Sequence, residues 1–365
     1  MDLKTTPVEK SRISEVDFES LDFGRIFSDH MFEMVWDKGS WGEPQIKPYG
    51  PISFAPALNV LHYGQAVFEG MKAYYVNKET INLFRPEDHH KRLNQSCWRM
   101  CMPETDYEIF IAGLEKLLQL DTEWVPRKKG RALYVRPLMF ASEEYIAARE
   151  SGRYHFYIMT CPVAAYYNEG FNPVTLTTPD KFVRAVKGGT GEVKTAGNYA
   201  ASFRPAREAR EKGFTQVLWL DAIENRYVEE VGTMNIFFLI GDTLVTPQLS
   251  GSVLNGITRR SVIEIAKKEN LAVESRRITI DEVLEAGKKG QLREVFGSGT
   301  AAVISPVRLI HHAGQKIDIG DGNIGPLAKK MFDTITGIQY GELDDPFNWT
   351  RPVKITNKSK ISQTE

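Results

Sequence analysis

The sequence predicts an α+β protein built as two domains, and three observations lead there. The chain has 365 residues, whereas a single hydrophobic core stops growing near about 250–300 residues, so two cores are expected. Strand-like runs cluster in the second half, and helix-like runs come singly between them. The regular strand–helix alternation of a doubly wound parallel sheet is therefore not expected.

Residues 1–20 are polar and mixed in charge, and are expected to be loosely ordered. Runs at 73–76 and 81–84 read as strands joined through Asn77-Lys78-Glu79-Thr80. A helix from Pro86 to Met100 follows, with Leu93, Cys97 and Met100 on one face. A second helix over 107–120 and strand runs at 131–140 and 154–161 complete a small N-terminal domain spanning 21–166. Turn formers between Tyr166 and Pro173 place a linker at 167–180. A larger strand-rich domain at 181–352 is expected next. Strand runs stand at 174–178, 216–221, 235–240, 243–246, 271–278 and 293–296, with Gly241-Asp242 as a two-residue hairpin turn. Helices are expected after Asn198-Tyr199, over 258–268, and from Thr279, where Glu282 completes a capping box. Residues 353–365 read as a polar tail.

Composition narrows the function classes. Hydrophobic residues make up 42% and charged residues 25% of the chain, the balance of a folded globular protein. Lys plus Arg (46) and Asp plus Glu (47) leave a net charge of −1, so nucleic acid is not an expected partner. The apolar run Ile236-Phe237-Phe238-Leu239-Ile240 is far short of the roughly 20 residues of a membrane-spanning helix. The first twenty residues lack the apolar stretch of a secretory signal, and a cytoplasmic location is expected. Cys97, Cys101 and Cys161 form no C-x-x-C and read as reduced core thiols. No His/Cys cluster has metal-ligand spacing, so no metal is expected.

The most unusual stretch runs from Lys187 to Thr195, where glycines crowd Lys194 ahead of Ala196-Gly197-Asn198-Tyr199. A phosphate-binding P-loop requires Gly immediately before the Lys-Ser/Thr pair, and Val193 stands there. The competing reading is a lysine among small residues that admit a planar cofactor, its amine brought toward reactivity by desolvation. A solvated loop lysine is the plainest reading of such a stretch taken alone. Gly297-Ser298-Gly299-Thr300-Ala301-Ala302 reads as a Gly-rich turn suited to an anion or as an ordinary tight turn. Asn255-Gly256-Ile257-Thr258 opens a helix whose free N–H groups suit phosphate, and Glu229-Glu230 lies just before an apolar strand.

Taken in order, YGQAVFEGMKAY (from Tyr63), LFRP (from Leu83), YVRP (from Tyr134), KTAGNYAAS (from Lys194), EVGTMNIF (from Glu230), NGITRRS (from Asn255) and REVFGSGTA (from Arg293) closely resemble the branched-chain amino acid aminotransferases. These are pyridoxal-phosphate enzymes of fold type IV, and the resemblance spans about residues 20–350. It implies that Lys194 is the Schiff-base lysine and proton carrier, that Glu230 partners the pyridine nitrogen, and that Tyr199 bonds the ring oxygen. By the same resemblance, Arg85 and the N–H groups of Ile257 and Thr258 bind the phosphate, while Thr300 serves both phosphate and substrate and Ala301 faces the substrate carboxylate. Tyr63, Phe68 and Tyr166 match the walls of the side-chain pocket, with Tyr63 supplied across a homodimer. Tyr134 and Arg136 match the pair that receives the second carboxylate of glutamate. The implied reaction moves the amino group of leucine, isoleucine or valine to 2-oxoglutarate. Within the fold the rivals are a D-amino acid aminotransferase and an aminodeoxychorismate lyase. Outside it, the rival is a non-catalytic nucleotide or metabolite binder. One departure is clear: where mammalian relatives carry a C-x-x-C after the Gly-rich turn, this chain has Ala302-Val303-Ile304-Ser305.

Overall fold

The computed structural model describes residues 3–164 and 171–355, and these divide into two compact units. The first comprises the described residues up to 164 together with those from 337 onward, and the second those in between. The expected second domain ran on to 352. The chain instead returns to the first unit, because Thr350–Lys354 pairs antiparallel with Thr80–Phe84.

In the first unit a 10-stranded sheet is built mainly from antiparallel neighbours, with Arg153–Val163 and Ala132–Ala141 at its centre. Side chains alternate across each strand, so the sheet has two distinct faces. One face carries Val67, Met71, Ala73, Leu133, Val135, Met139, Phe156 and Ile158, and packs with Leu93, Phe110, Leu114 and Leu117 of the helices Pro86–Arg99 and Tyr107–Leu120. The first helix starts at a proline whose missing N–H costs nothing there. The second is capped by Asp106, which accepts from the N–H groups of Glu108 and Ile109. The other face of the sheet carries Phe68, Lys72, Tyr134 and Arg136.

The second unit holds a mixed 9-stranded sheet. Its core is a cluster including Leu176, Leu218, Ile236, Phe238, Val283 and Ile310. Thr243–Pro247, the helix Ile257–Lys268 and Ala272–Arg276 form one parallel strand–helix–strand unit, the arrangement that the sequence reading excluded for the chain as a whole. The expected capping box is present, with Thr279 Oγ1 accepting from the Glu282 N–H at 3.0 Å.

Four expectations change. The N-terminal stretch is not loose: Leu3 is buried, Lys4–Thr5 pairs with Gln45–Pro48, and Ser11 donates to Asp29 at 2.5 Å. The expected strand at Val174–Thr177 is fully buried between partners far away in sequence, so the described part of 167–180 is sheet rather than linker alone. Val353 is buried in a strand rather than part of a polar tail. Finally, Cys97 and Cys161 are buried, their thiols pushed up by burial, to about 11 for Cys161, but Cys101 is exposed. Among the described residues no helix is long and apolar enough to cross a membrane, and no group of His, Cys, Asp and Glu could hold a metal ion.

Candidate active site

In the second unit the site grows from the loop that ends at Lys194. Val193 is buried and pins that loop, and the next residues wind into the short helix Ala196–Ala200. This places Tyr199 one turn on, where its hydroxyl accepts from Lys194 Nζ at 2.5 Å. The amine also lies 4.9 Å from the centre of the Tyr199 ring.

Glu230 sits in the buried strand Val228–Val231 and is 3% exposed. Its Oε1 accepts from the Leu254 N–H at 2.7 Å, and its Oε2 lies 2.9 Å from Arg184 Nε. Burial pushes its carboxyl above the ordinary glutamate value, while Arg184 and the Leu254 amide pull the other way. The preceding residue, Glu229, bonds Ser252 instead, and burial raises its carboxyl too. A cavity of about 530 Å³ is lined by Glu229, Ser252, Tyr227 and Leu249, and not by Lys194 or Tyr199. The void and the reactive groups do not coincide.

Just beyond Leu254, the helix Ile257–Lys268 begins with Gly256 as its cap residue and no side-chain cap. The N–H groups of Ile257 and Thr258 thus open a helix whose dipole favours an anion. Thr300 and Ala301, both partly buried, form the turn between Leu292–Gly299 and Val303–His312. The pairing of Ser298 with Asn235 sets this strand end beside the segment that follows Glu230. Gly297 and Gly299 therefore belong to a strand and not to the expected turn. A Cβ on either would approach Met234 within 3.0 Å, so close packing, rather than a turn conformation, favours glycine there. Val303, immediately after the turn, is a β-branched residue held at φ +63, a strained conformation.

In the first unit, Phe68, Tyr134 and Arg136 gather on one sheet face. Arg136 lies 4.5 Å from the Phe68 ring centre and donates to the Tyr134 hydroxyl at 3.0 Å. Arg136 Nε is buried without a hydrogen-bond partner. Next to Phe68, the fully buried Glu69 is bound by Arg92 at 2.6 and 2.9 Å and lies 2.7 Å from His89, which hold its carboxyl well below the ordinary range. This network anchors the Phe68 segment to the helix Pro86–Arg99. Arg85 precedes that helix at φ +52, with Nε 2.5 Å from Asp88 and its guanidinium 5.0 Å from the Trp349 ring centre. Tyr63, in contrast, is 43% exposed at the end of the helix Asn59–Tyr63, and Tyr166 lies outside the described residues.

Two residues escaped the sequence reading. Arg184 carries no periodic or motif signal. Lys72 reads as one position of a strand, yet it is buried directly across from Tyr134. Burial pushes the Lys72 ammonium down from 10.5 to about 8. Between those values the unfolded chain holds more protons than the folded one, so stability rises with pH across that window and is lost as pH falls through about 8. Lys72→Met is expected to remove this rise of stability between about pH 8 and pH 10.5. Urea unfolding at pH 7 and pH 10 measures it; the variant must gain less stability between the two than the wild type does.

Residues 66–310 match the family model described as amino-transferase class IV. Over 346 residues the chain is 51% identical to branched-chain-amino-acid aminotransferase 2 of Bacillus subtilis (strain 168), covering 94% of this chain and 95% of that protein. A crystal structure of the branched-chain aminotransferase of Thermoproteus uzoniensis with norvaline is similar at a TM-score of 0.72 and 25% identity, covering 88% of this chain and 99% of that one. A crystal structure of the T.th. branched-chain amino acid aminotransferase with pyridoxamine 5'-phosphate is similar at a TM-score of 0.72 and 26% identity, covering 87% of this chain and 97% of that one.

Proposed function

This chain belongs to the class IV aminotransferase family, and from that premise we propose that it moves the amino group of L-leucine, L-isoleucine or L-valine to 2-oxoglutarate, giving branched-chain 2-oxo acids and L-glutamate. Enzymes of this class use pyridoxal 5'-phosphate. The residues present fit that group: an amine beside a phenol, a buried carboxylate, and a helix start without a side-chain cap. Bound there, the cofactor supplies a ring that accepts the electron pair left when the substrate's α-proton departs.

The chain's own residues do the rest. Lys194 would hold the cofactor covalently and, once freed by the incoming amine, carry the proton at Nζ. Tyr199 would bond the ring oxygen, and the Glu230 carboxylate would face the pyridine nitrogen. Arg85, Thr300 and the N–H groups of Ile257 and Thr258 would hold the phosphate. Thr300 and Ala301 would also receive the substrate's α-carboxylate through their N–H groups. Phe68 and Tyr166, with Tyr63 of a second copy, would wall the apolar pocket. The exposure of Tyr63 supports its reaching outward from its own chain in a homodimer. A cytoplasmic location completes the reading.

The observation that carries the substrate assignment is the pairing of Arg136 with Tyr134 and Phe68 on one face, where a cation with a buried spare N–H stands against an aromatic wall. Such a surface accepts both an apolar side chain and the second carboxylate of glutamate. Arg136→Met removes a charge-assisted contact of about 1.5–3 kcal/mol, so kcat/KM for glutamate and 2-oxoglutarate should fall roughly ten- to a hundredfold. Leucine in the first half-reaction should change little. Single-turnover measurements over a panel of L- and D-amino acids decide the matter: equal losses for leucine and glutamate, or a preference for D-amino acids, overturn the assignment.

A further inference from the structure

Arg184 is 8% exposed in its side chain and reaches three segments at once. Its Nε lies 2.9 Å from Glu230 Oε2, and its Nη2 donates to the Gly191 carbonyl at 2.8 Å and to the Ser252 carbonyl. Gly191 belongs to the loop that ends at Lys194, and Ser252 to the loop that leads through Leu254 to the helix start at Ile257. These loops run so close that a Cβ on Gly191 would stand 2.3 Å from the Ser252 carbonyl oxygen. That contact, rather than room for a cofactor, is what glycine at 191 provides.

The charge balance around Glu230 gives the guanidinium a second consequence. Burial and the neighbouring Glu229 favour the protonated carboxyl, whereas Arg184, Lys194, Arg259 and the Leu254 amide favour the anion. A buried glutamate that hydrogen-bonds a pyridine nitrogen competes with it for one proton. If the carboxylate is the more basic partner, the proton moves to Oε, the ring becomes neutral, and it accepts an electron pair less readily. A cation on the far oxygen lowers the basicity of the carboxylate and leaves the proton on nitrogen.

We propose that Arg184 is a positioning residue that keeps the Glu230 carboxylate anionic and so holds the shared proton on the cofactor's pyridine nitrogen. The proposal rests on the reading that Glu230 faces that nitrogen. It is tested with apoenzyme reconstituted with pyridoxal 5'-phosphate labelled with nitrogen-15 in the ring, whose NMR shift separates the protonated from the neutral nitrogen. Wild type, Arg184→Met, Arg184→Lys and Glu230→Gln are compared, and borohydride fixation followed by peptide mapping checks that the label sits on Lys194 in each.

The expected result is a protonated signal in wild type, movement toward the neutral position in Arg184→Met and Glu230→Gln, and a largely protonated signal in Arg184→Lys, which keeps the charge without the forked contact to two carbonyls. Turnover of Arg184→Met should fall at least roughly tenfold. Arg184→Met that binds cofactor on Lys194 with an unmoved protonated signal overturns the proposal. So does loss of cofactor binding in both Arg184 variants, because Arg184 would then act through the loops alone. A neutral nitrogen in wild type, or a signal indifferent to Glu230→Gln, instead removes the reading of Glu230 on which the proposal stands.

Discussion

Lys194→Ala should lower turnover by several orders of magnitude while leaving the fold intact. The variant loses the covalent anchor and the proton carrier together, and residues that act as one unit do not fail partially. The fold should survive because the Lys194 side chain is only partly buried and donates to Tyr199, while Val193 and the carbonyls held by Arg184 fix the loop. Borohydride in the presence of cofactor should label Lys194 in the wild type and nothing in the variant. A label on another lysine would move the reaction centre elsewhere.

Glu230→Gln should lower kcat by about 10²–10³, the scale of one preorganised electrostatic contact. The amide can still accept from Leu254, so cofactor affinity should suffer less than turnover. The same change strips Arg184 of its buried counter-charge, and breaking such a pair from one side costs about 3–5 kcal/mol. A lower melting temperature should therefore accompany the kinetic loss. Unaltered kcat at matched cofactor occupancy would take Glu230 out of the mechanism.

What could be seen in the sequence was what the sequence keeps local. Thr279 and Glu282, or Pro86 at a helix start, act across a few residues, and the structure has both where the spacing put them. Lys194 and Tyr199 lie five apart, Tyr199 in the short helix that begins two residues after the lysine, so their meeting was readable too. Long-range pairing was not. Val174–Thr177 reads as a strand, yet nothing in its own segment names Val303–His312 as its partner, and nothing near Thr350 announces Thr80–Phe84. Gly297 and Gly299 were misread because glycine marks either a turn or a close approach, and only the position of Met234 decides between them. Arg184 stayed hidden because one buried arginine has the same letter as a solvated one. Its meaning comes from Glu230, Gly191 and Ser252, three segments that only the fold assembles.

The strand Thr350–Lys354 bears on how the protein is made. A ribosome releases the chain from its N-terminus, so every strand of the second unit has emerged before the last strand of the first sheet exists. The second unit is continuous and can close on its own residues during synthesis. The first sheet is completed later, and until then Thr80–Phe84, which holds Ile81, Leu83 and Phe84, is paired on one side only. The nascent protein therefore passes through an interval with an open β-edge, and the emergence of Thr350–Lys354 ends that interval.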